Sequence, residues 1–333
     1  MRKFYVLFAM MILGLATIFA TSCEKDSKKI KVAEVTHSVF YAPQYVALSE
    51  GFFAKYDLDV EIFLASGADK VMASLLSGEA HIGLMGPEAS IYVYAQGKKD
   101  YAITFAQLTQ KDGSFIVGRE ADSNFKLSDL SGKSILAGRR GGMPLMTLEY
   151  VLKQEELKPE KDNPNANINL RTDVAFAAQA GAFISGEGDY TTLFEPTASE
   201  LESQGKGYVL ASVGAYTDKV AYTCYSTLKS YMDKNDKQLE NFAKAIEEAC
   251  LWVYSHTSME VATSIHKYFS ETDINILANS IERYRQIEAW SLNPYLDENE
   301  FKHLQDIIIS SNELDKYMPY DKLVVNKFNP GKR

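Results

Sequence analysis

The chain has 333 residues, 46% of them apolar and 12% aromatic, which is enough for two domains with substantial cores. Its formal net charge is −9; this argues against a nucleic-acid binder, which would need a basic face. Five scattered histidines and three cysteines offer no set with metal-ligand spacing, and nothing in the pattern asks for a cofactor.

The N-terminus reads as a targeting signal. Met1-Arg2-Lys3 is a positive start, Phe4 to Ala20 is apolar, and Ala20-Thr21-Ser22 are small residues directly before Cys23, the order of a secretory signal. Small residues ending at a cysteine also resemble a lipoprotein box, whose cysteine receives diacylglycerol and becomes the mature N-terminus. Leu is usual where Ala20 stands. The apolar run is slightly long for a signal, so an uncleaved membrane anchor is the rival reading, and no later stretch is apolar and long enough to span a bilayer. Glu24 to Lys29 is charged and reads as a tether. Cys224 and Cys250 sit in apolar surroundings, where buried free thiols are the default; a disulfide between them cannot be read from spacing.

Val35 to Gly97 carries the organising pattern. Gln44 to Glu50 reads as a helix with Pro43 in its first turn and Gly51 past its end. Val60, Ile62 and Leu64 alternate as in a strand. Val71, Met72, Leu75 and Leu76 recur at helical spacing up to Gly78. His81 to Met85 is a short apolar strand, Pro87 opens a helix that Gly97 ends, and Tyr101 to Ala106 is the next strand. Strands alternating with helices predict right-handed crossovers and a parallel sheet, with ligands bound beyond the strands' carboxyl ends. The strand-to-helix turns His37–Ala42, Ser66–Asp69 and Gly86–Glu88 converge there, each with the free N–H groups of a helix start. They nominate Ser38, Phe40, Tyr41, Gly67, Ala68, Asp69, Gly86 and Glu88 as ligand-binding residues.

Gln107 to Gly113 is polar and reads as a connection. From Ser114 the theme repeats. Ser114–Gly118 is apolar, Leu127–Leu130 a short helix, and Ser134–Ala137 a strand. The loop Arg139-Arg140-Gly141-Gly142 then precedes a helix begun by Pro144. A strand, a glycine-rich loop and a helix make an anion cradle, though without the Gly-Lys-Ser/Thr of a phosphate loop; Arg140 and Gly142 join the candidates. Pro159 to Asn167 reads as a loop, Ile168–Arg171 as a strand and Val174–Ile184 as a helix. Asp189–Phe194 reads as a strand ending in Glu195-Pro196, with a helix from Thr197, and Tyr208–Ser212 as a further strand. Tyr190 and Glu195 are the candidates from this half. Val220–Ser226 is a strand leading back to the first lobe, and the remainder is helical. It includes the apolar stripe Leu239, Phe242, Ile246, Ala249, Cys250 and Val253, and a Thr257/Glu260 capping box.

Several segments in order resemble the nitrate/sulfonate/taurine-type substrate-binding proteins of ABC importers, a superfamily that also holds binding proteins for thiamine pyrimidine precursors. They are Phe40-Tyr41-Ala42-Pro43-Gln44-Tyr45, Gly51-Phe52-Phe53, Asp57-Leu58-Asp59-Val60, Gly67-Ala68, Leu76-Ser77-Gly78, Leu127-Ser128-Asp129-Leu130-Ser131-Gly132-Lys133, Phe194-Glu195-Pro196, Ala289-Trp290 and Asn293-Pro294. The resemblance covers nearly everything after Lys29. It implies an α/β, two-lobed periplasmic-binding-protein fold of type II, with two crossovers between lobes and C-terminal helices on the first. The expected divisions are a signal peptide over 1–22, a tether over 23–29, the first part of lobe 1 over 30–113, lobe 2 over 114–219, and the rest of lobe 1 with the C-terminal helices over 220–333. It further implies a monomer outside the cytoplasm, anchored by a lipid on Cys23, that captures a small molecule by lobe closure and delivers it to a membrane permease.

The ligand class stays open at this point. A sulfonate or nitrate site would use backbone N–H groups and Arg140. A pyrimidine site would want aromatic walls and a carboxylate to accept from an amino group, and Asp69, Glu88 and Glu195 supply carboxylates that oppose an anion. The reading leans to an amino-heterocycle such as a thiamine pyrimidine precursor. Glu195 is its expected acceptor, because Pro196 holds its backbone extended at a strand's carboxyl end. Some relatives of this fold are enzymes, including a yeast pyrimidine synthase marked by a cysteine cluster and a histidine; the cluster is missing here.

Overall fold

The computed structural model describes residues 29–329. The signal, Cys23 and all but the last residue of the tether lie outside the described residues. In the first lobe, β1 (Ile30–Glu34) enters a single 3-10 turn, Val39–Tyr41, and then α1 (Ala42–Ser49) and α2 (Phe52–Lys55). Gly51 joins these two helices at φ 75, in the left-handed region that glycine adopts without strain. Then come β2 (Val60–Leu64), α3 (Ala68–Ser77), β3 (Ile82–Met85), α4 (Glu88–Ala95) and β4 (Ala102–Thr109).

The second lobe holds β5 (Phe115–Gly118), β6 (Lys133–Leu136), α5 (Met143–Gln154), β7 (Pro159–Lys161), β8 (Ile168–Arg171), α6 (Gln179–Ile184), β9 (Tyr190–Leu193), α7 (Thr197–Ser203) and β10 (Tyr208–Ser212). The chain returns through β11 (Thr223–Leu228) and closes with α8 (Lys229–Met232), α9 (Asp236–Ser255), α10 (Ser258–Ile265), α11 (Ile274–Gln286), α12 (Glu298–Ser310) and α13 (Tyr320–Leu323).

Two mixed sheets result, ordered β2-β1-β3-β11-β4 and β10-β5-β9-β6-β8-β7. β1 pairs parallel with β2 and β3, whereas β11 runs antiparallel between β3 and β4. In the second sheet β6 lies parallel to β8 and β9, and β5 antiparallel to β9. The chain therefore crosses between sheets twice, after β4 and before β11. Gly113 lies in the first crossing, where a Cβ would stand 2.6 Å from the Phe40 ring and 2.8 Å from that of Phe194. Only glycine lets the strand pass between those rings.

Some local readings shift. β4 runs on to Thr109, through residues that read as a polar connection. Gln107 is fully buried there because its Nε2 donates to Glu300 Oε2 (2.6 Å) and its N–H to the Pro294 carbonyl (2.8 Å). Buried polar groups persist where partners satisfy them. The segment 174–184 is helical only from Phe176, first as a 3-10 turn, and the loop expected after Pro159 contains β7. Cys224 and Cys250 are buried free thiols.

The C-terminal helices do more than cover lobe 1. α9 packs its apolar stripe on α1, α2 and β4, and Leu239, Phe242, Ile246, Ala249, Cys250 and Val253 are all fully buried. α11, however, contacts α7 of the second lobe, and α12 contacts α5. At α10 the capping box forms as read. Glu260 N–H donates to Thr257 Oγ1 (3.2 Å) and Thr257 N–H to Glu260 Oε2 (2.8 Å). Thr257→Ala should therefore lower unfolding free energy by about 1 kcal/mol, measured by urea denaturation; an unchanged midpoint would show the cap to be idle.

Candidate ligand-binding site

The site forms where the first-lobe turns meet the two crossings. Ser38 accepts from the Phe40 N–H (3.1 Å), so it caps the 3-10 turn. Its hydroxyl also donates across the lobes to the Glu195 carbonyl (2.6 Å). Phe40 is fully buried, its ring 5.3 Å from Phe194, 5.7 Å from Tyr222 and 5.1 Å from Tyr284. Trp290 Nε1–H holds the Phe40 carbonyl (2.8 Å). The Tyr284 hydroxyl accepts from Glu195 N–H (2.9 Å) and donates to the Gly113 carbonyl (3.0 Å), which ties both lobes to the first crossing.

Acidic groups dominate the interior. The charged residues that are buried are Glu34, Glu88, Asp112, Glu149 and Glu195, with no lysine or arginine among the described residues reaching that class. Three of the five are matched. Glu34 accepts from Gln44 Nε2 (2.9 Å) and Tyr45 Oη (2.7 Å); the adjacent His37 has its pKa raised mainly by this carboxylate. Glu149 pairs with Lys153 (2.8 Å) and Lys161 (2.9 Å) and accepts from Ser311 Oγ (2.9 Å). Glu195 pairs with Arg283 (2.9 Å).

The other two are not. Glu88 opens α4 and folds back over Gly86, where a Cβ would stand 1.9 Å from Glu88 Oε2. That oxygen has no hydrogen-bond partner among the described residues. Burial pushes its pKa up to about 7, against its own backbone N–H and Arg139, which pull it down. Asp112 lies in the first crossing. Its Oδ1 accepts from Ser114 N–H (2.7 Å) and from the Ser114 hydroxyl, but Oδ2 is unpartnered. Burial raises its pKa to about 6, while the nearby Ser114, Tyr222 and Thr147 groups lower it. The Tyr222 and Thr147 hydroxyls stand beside this carboxylate and lower its pKa as hydrogen-bond donors do, at the edge of hydrogen-bonding geometry. Tyr41, also buried, has its hydroxyl pKa raised by burial and by Glu34 and Glu88. On the second lobe, Gln179 is fully buried at the start of α6 with neither amide atom paired.

The structure thus brings Phe40, Tyr41 and Glu88 together with Asp112, Thr147, Phe194 and Tyr222. Gly67 starts α3 at φ 139, and Ala68 is buried behind it. Asp69 reaches across to Arg139 (3.2 Å), so an exposed ion pair joins the lips of the two lobes. Gly142 is the N-cap of α5.

Three placements differ from the readings above. Arg140 turns outward and pairs with Asp162 (2.8 Å), and it is its neighbour Arg139 that faces the first lobe. Tyr190 stands at the start of β9, against Phe125; a strand advances about 3.3 Å per residue, so it is roughly 13 Å from Phe194 at the carboxyl end. Glu195 is at the predicted edge, but its carboxylate is occupied. Oε2 accepts from Ser199 N–H (2.9 Å), and Oε1 from Ser199 Oγ (2.9 Å) and Arg283 Nη1 (2.9 Å). It caps α7 and anchors Arg283, so it is not free to accept from a ligand. The structure also buries Asp112, Thr147 and Tyr222 together, which no motif announces: a lone Asp-Gly-Ser in a connection and a tyrosine in an apolar run carry none.

Two mixed sheets joined by two crossings make the periplasmic-binding-protein fold. The chain belongs to the NMT1/THI5-like family, whose model matches residues 39–258. It is 46% identical over 301 residues to "Putative binding protein YtlA" of Bacillus subtilis (strain 168), covering 90% of this chain and 89% of that one. It is similar in structure to the alkanesulfonate-binding protein SsuA of Xanthomonas axonopodis pv. citri bound to MOPS, with a TM-score of 0.69, 13% identity, and 90% and 98% of the two chains covered. The periplasmic nitrate-binding protein NrtA of Synechocystis PCC 6803 is also similar, with a TM-score of 0.66, 15% identity, and 91% and 87% covered. All three are named as binding proteins. The resemblance to binding components of ABC importers therefore holds for family and fold.

Proposed function

We propose that the chain is the ligand-capturing component of an ABC importer, closing its lobes on a flat amino-heterocycle of the thiamine-pyrimidine-precursor kind and passing it to a membrane permease. The observation that carries the ligand class is the pair of buried, incompletely partnered carboxylates, Glu88 and Asp112, with no buried cation beside them among the described residues. A carboxylate only accepts hydrogen bonds, so it suits an amino group or a protonated ring nitrogen and repels an anion. Phe40, Tyr41, Phe194 and Tyr222 form one buried aromatic cluster, and on this reading a planar ligand stacks against its edge. Calorimetric titration tests this: 4-amino-5-hydroxymethyl-2-methylpyrimidine should bind, and taurine and MOPS should not. Tight binding of either sulfonate, with none of the pyrimidine, would overturn the ligand class.

Closure is part of the same reading. The exposed Asp69–Arg139 pair adds under about 1 kcal/mol to the buried contacts between the lobes, and a ligand that touches both lobes shifts the balance toward the closed state. Small-angle scattering should show the radius of gyration falling when ligand saturates the protein; a constant radius would count against a hinge. The anchor is lipid on Cys23 of a monomer held outside the cytoplasm. Cys23→Ser should move the expressed protein from the detergent to the aqueous phase on extraction, and a wild-type protein without lipid would remove the anchor.

A further inference from the structure

β1 ends at Glu34, and the chain then runs through His37 into Ser38. Ser38 caps the 3-10 turn of Phe40 and Tyr41 and reaches the Glu195 carbonyl of the second lobe. The His37 ring is engaged on both nitrogens. Nε2 stands 2.8 Å from the Tyr268 carbonyl, and Nδ1 stands 2.8 Å from the Tyr45 hydroxyl and 3.3 Å from Glu34 Oε1. The ring lies flat on Phe269, with centroids 4.5 Å apart, and edge-on to Tyr45. Tyr268 and Phe269 follow α10, and just beyond them Thr272 donates to Glu200 of α7 in the second lobe (2.8 Å). His37 therefore ties the start of a first-lobe turn to a C-terminal segment that itself reaches across the lobes.

The partners fix the charge of that ring. A carbonyl only accepts, so Nε2 carries a hydrogen. The Tyr225 hydroxyl donates to Gln44 Oε1 (3.1 Å), which turns Gln44 Nε2 toward Glu34 Oε2 (2.9 Å). The Tyr45 hydroxyl lies 2.7 Å from both Glu34 oxygens and has a single proton to give. When that proton goes to Glu34, His37 Nδ1 faces only acceptors and carries a hydrogen as well, so the ring is an imidazolium. When Nδ1 is bare, the Tyr45 proton turns to it, and Glu34, 2% exposed, keeps only the Gln44 amide. A buried carboxylate left with one neutral donor is the costlier arrangement.

Glu34 is the charge that acts on the ring, from β1. Tyr45 faces it from α1, and Tyr268 from the segment after α10, with Lys267 5.0 Å from the Tyr268 ring centroid. Tyr41 and Tyr225 also feel the Glu34 charge. The His37 side chain is 44% exposed, so it exchanges protons with solvent.

We propose that His37 is a proton-bearing positioning residue, whose imidazolium bridges Glu34 and the Tyr268 carbonyl, holds the turn Ser38–Tyr41 in place for capture, and lets it loosen as pH rises. The effect on affinity rests on the capture function above; the clasp itself does not. Hydrogen bonding to Glu34 raises the His37 pKa above its ordinary 6.5. The clasp is therefore complete below about 6.5 and is lost as pH climbs through the folded value.

Three measurements on the full folded protein test this. The ring ¹⁵N shifts of ligand-free wild type should show both nitrogens protonated past pH 6.5, and Glu34→Gln should bring the midpoint down. Amide exchange at Phe40, corrected for its intrinsic rate, should show protection falling over the same range in wild type and not in His37→Gln. By calorimetry, 4-amino-5-hydroxymethyl-2-methylpyrimidine should bind His37→Gln about two- to fivefold more weakly than wild type at pH 6, and about equally at pH 9. Taking the ratio at each pH cancels Glu88, which both proteins share. A wild-type midpoint at or below 6.5, which needs no variant, would overturn the clasp. So would Phe40 protection in wild type that ignores pH, or one affinity ratio at both pH values. A probe that binds neither protein would overturn the ligand class instead, and the ring and amide readouts would still decide the clasp.

Discussion

Arg283→Met is expected to cost the fold about 3–5 kcal/mol, the usual penalty for stranding one partner of a buried ion pair. Glu195 has a fully buried side chain, and Arg283 is its counter-charge at 2.9 Å. Arg283 also pairs with Glu202 on α7. Without the guanidinium, Glu195 keeps only Ser199 and a long contact from Ser280 Oγ (3.3 Å). These are neutral donors and cannot replace the charge, although they place the loss toward the lower end of the range. The pair also bolts the C-terminal α11 to the second lobe, so the damage should spread to the interface between them. The double variant Glu195→Gln, Arg283→Met removes both charges and should recover most of the loss. Urea unfolding of the two variants decides it. A single variant within about 0.5 kcal/mol of wild type would mean that water or local rearrangement already screens the pair.

The same residue shows where sequence reading stops. That a strand ends at Phe194, that Glu195 sits on its carboxyl edge, and that Pro196 directs it were legible, because alternation, glycine and proline act locally. The strand-to-helix turns that hold Phe40, Tyr41 and Glu88 were legible for the same reason. Arg283, which decides what the Glu195 carboxylate does, lies on a helix whose sequence announces only an apolar face. Arg139 and Arg140 are adjacent, and only the path of the loop tells which meets Asp69. Asp112 and Tyr222 meet only when two distant crossings come side by side, a contact with no trace in local pattern. Tyr190 failed for a geometric reason: it is on the right strand at the wrong end.

Glu88→Gln should make the ligand-free protein more stable at pH 8 and a poorer binder. Burial raises the Glu88 pKa from 4.5 to about 7 in the folded state, above its value in an unfolded chain. The folded protein therefore holds this proton more tightly, and stability falls as pH climbs from about 4.5 through 7. The charged group facing it is Arg139, which lowers the pKa. The hydroxyls of Tyr41, Tyr92 and Tyr222 respond to it in turn, each with its own pKa raised by burial first and by Glu88 among the later causes. Asp112, pushed to about 6 by its own burial, runs in the same direction. One pKa unit corresponds to about 1.4 kcal/mol, so ionising Glu88 costs the ligand-free fold at most about 3 kcal/mol at pH 8. Glutamine occupies the same volume without titrating. It should gain on wild type by up to that amount at pH 8 and by under about 1 kcal/mol at pH 5, only just above the unfolded value, where the folded carboxyl still holds its proton. Melting wild type and variant at both pH values, without ligand, reads the difference directly; parallel pH profiles would place the raised pKa on another group. The aminopyrimidine should meanwhile bind the variant roughly ten- to a hundredfold more weakly, the worth of a charged hydrogen bond. Stability gained and affinity lost at one position is the expected mark of a group kept unsatisfied for its ligand, and a variant that gained the first without losing the second would take Glu88 out of the site.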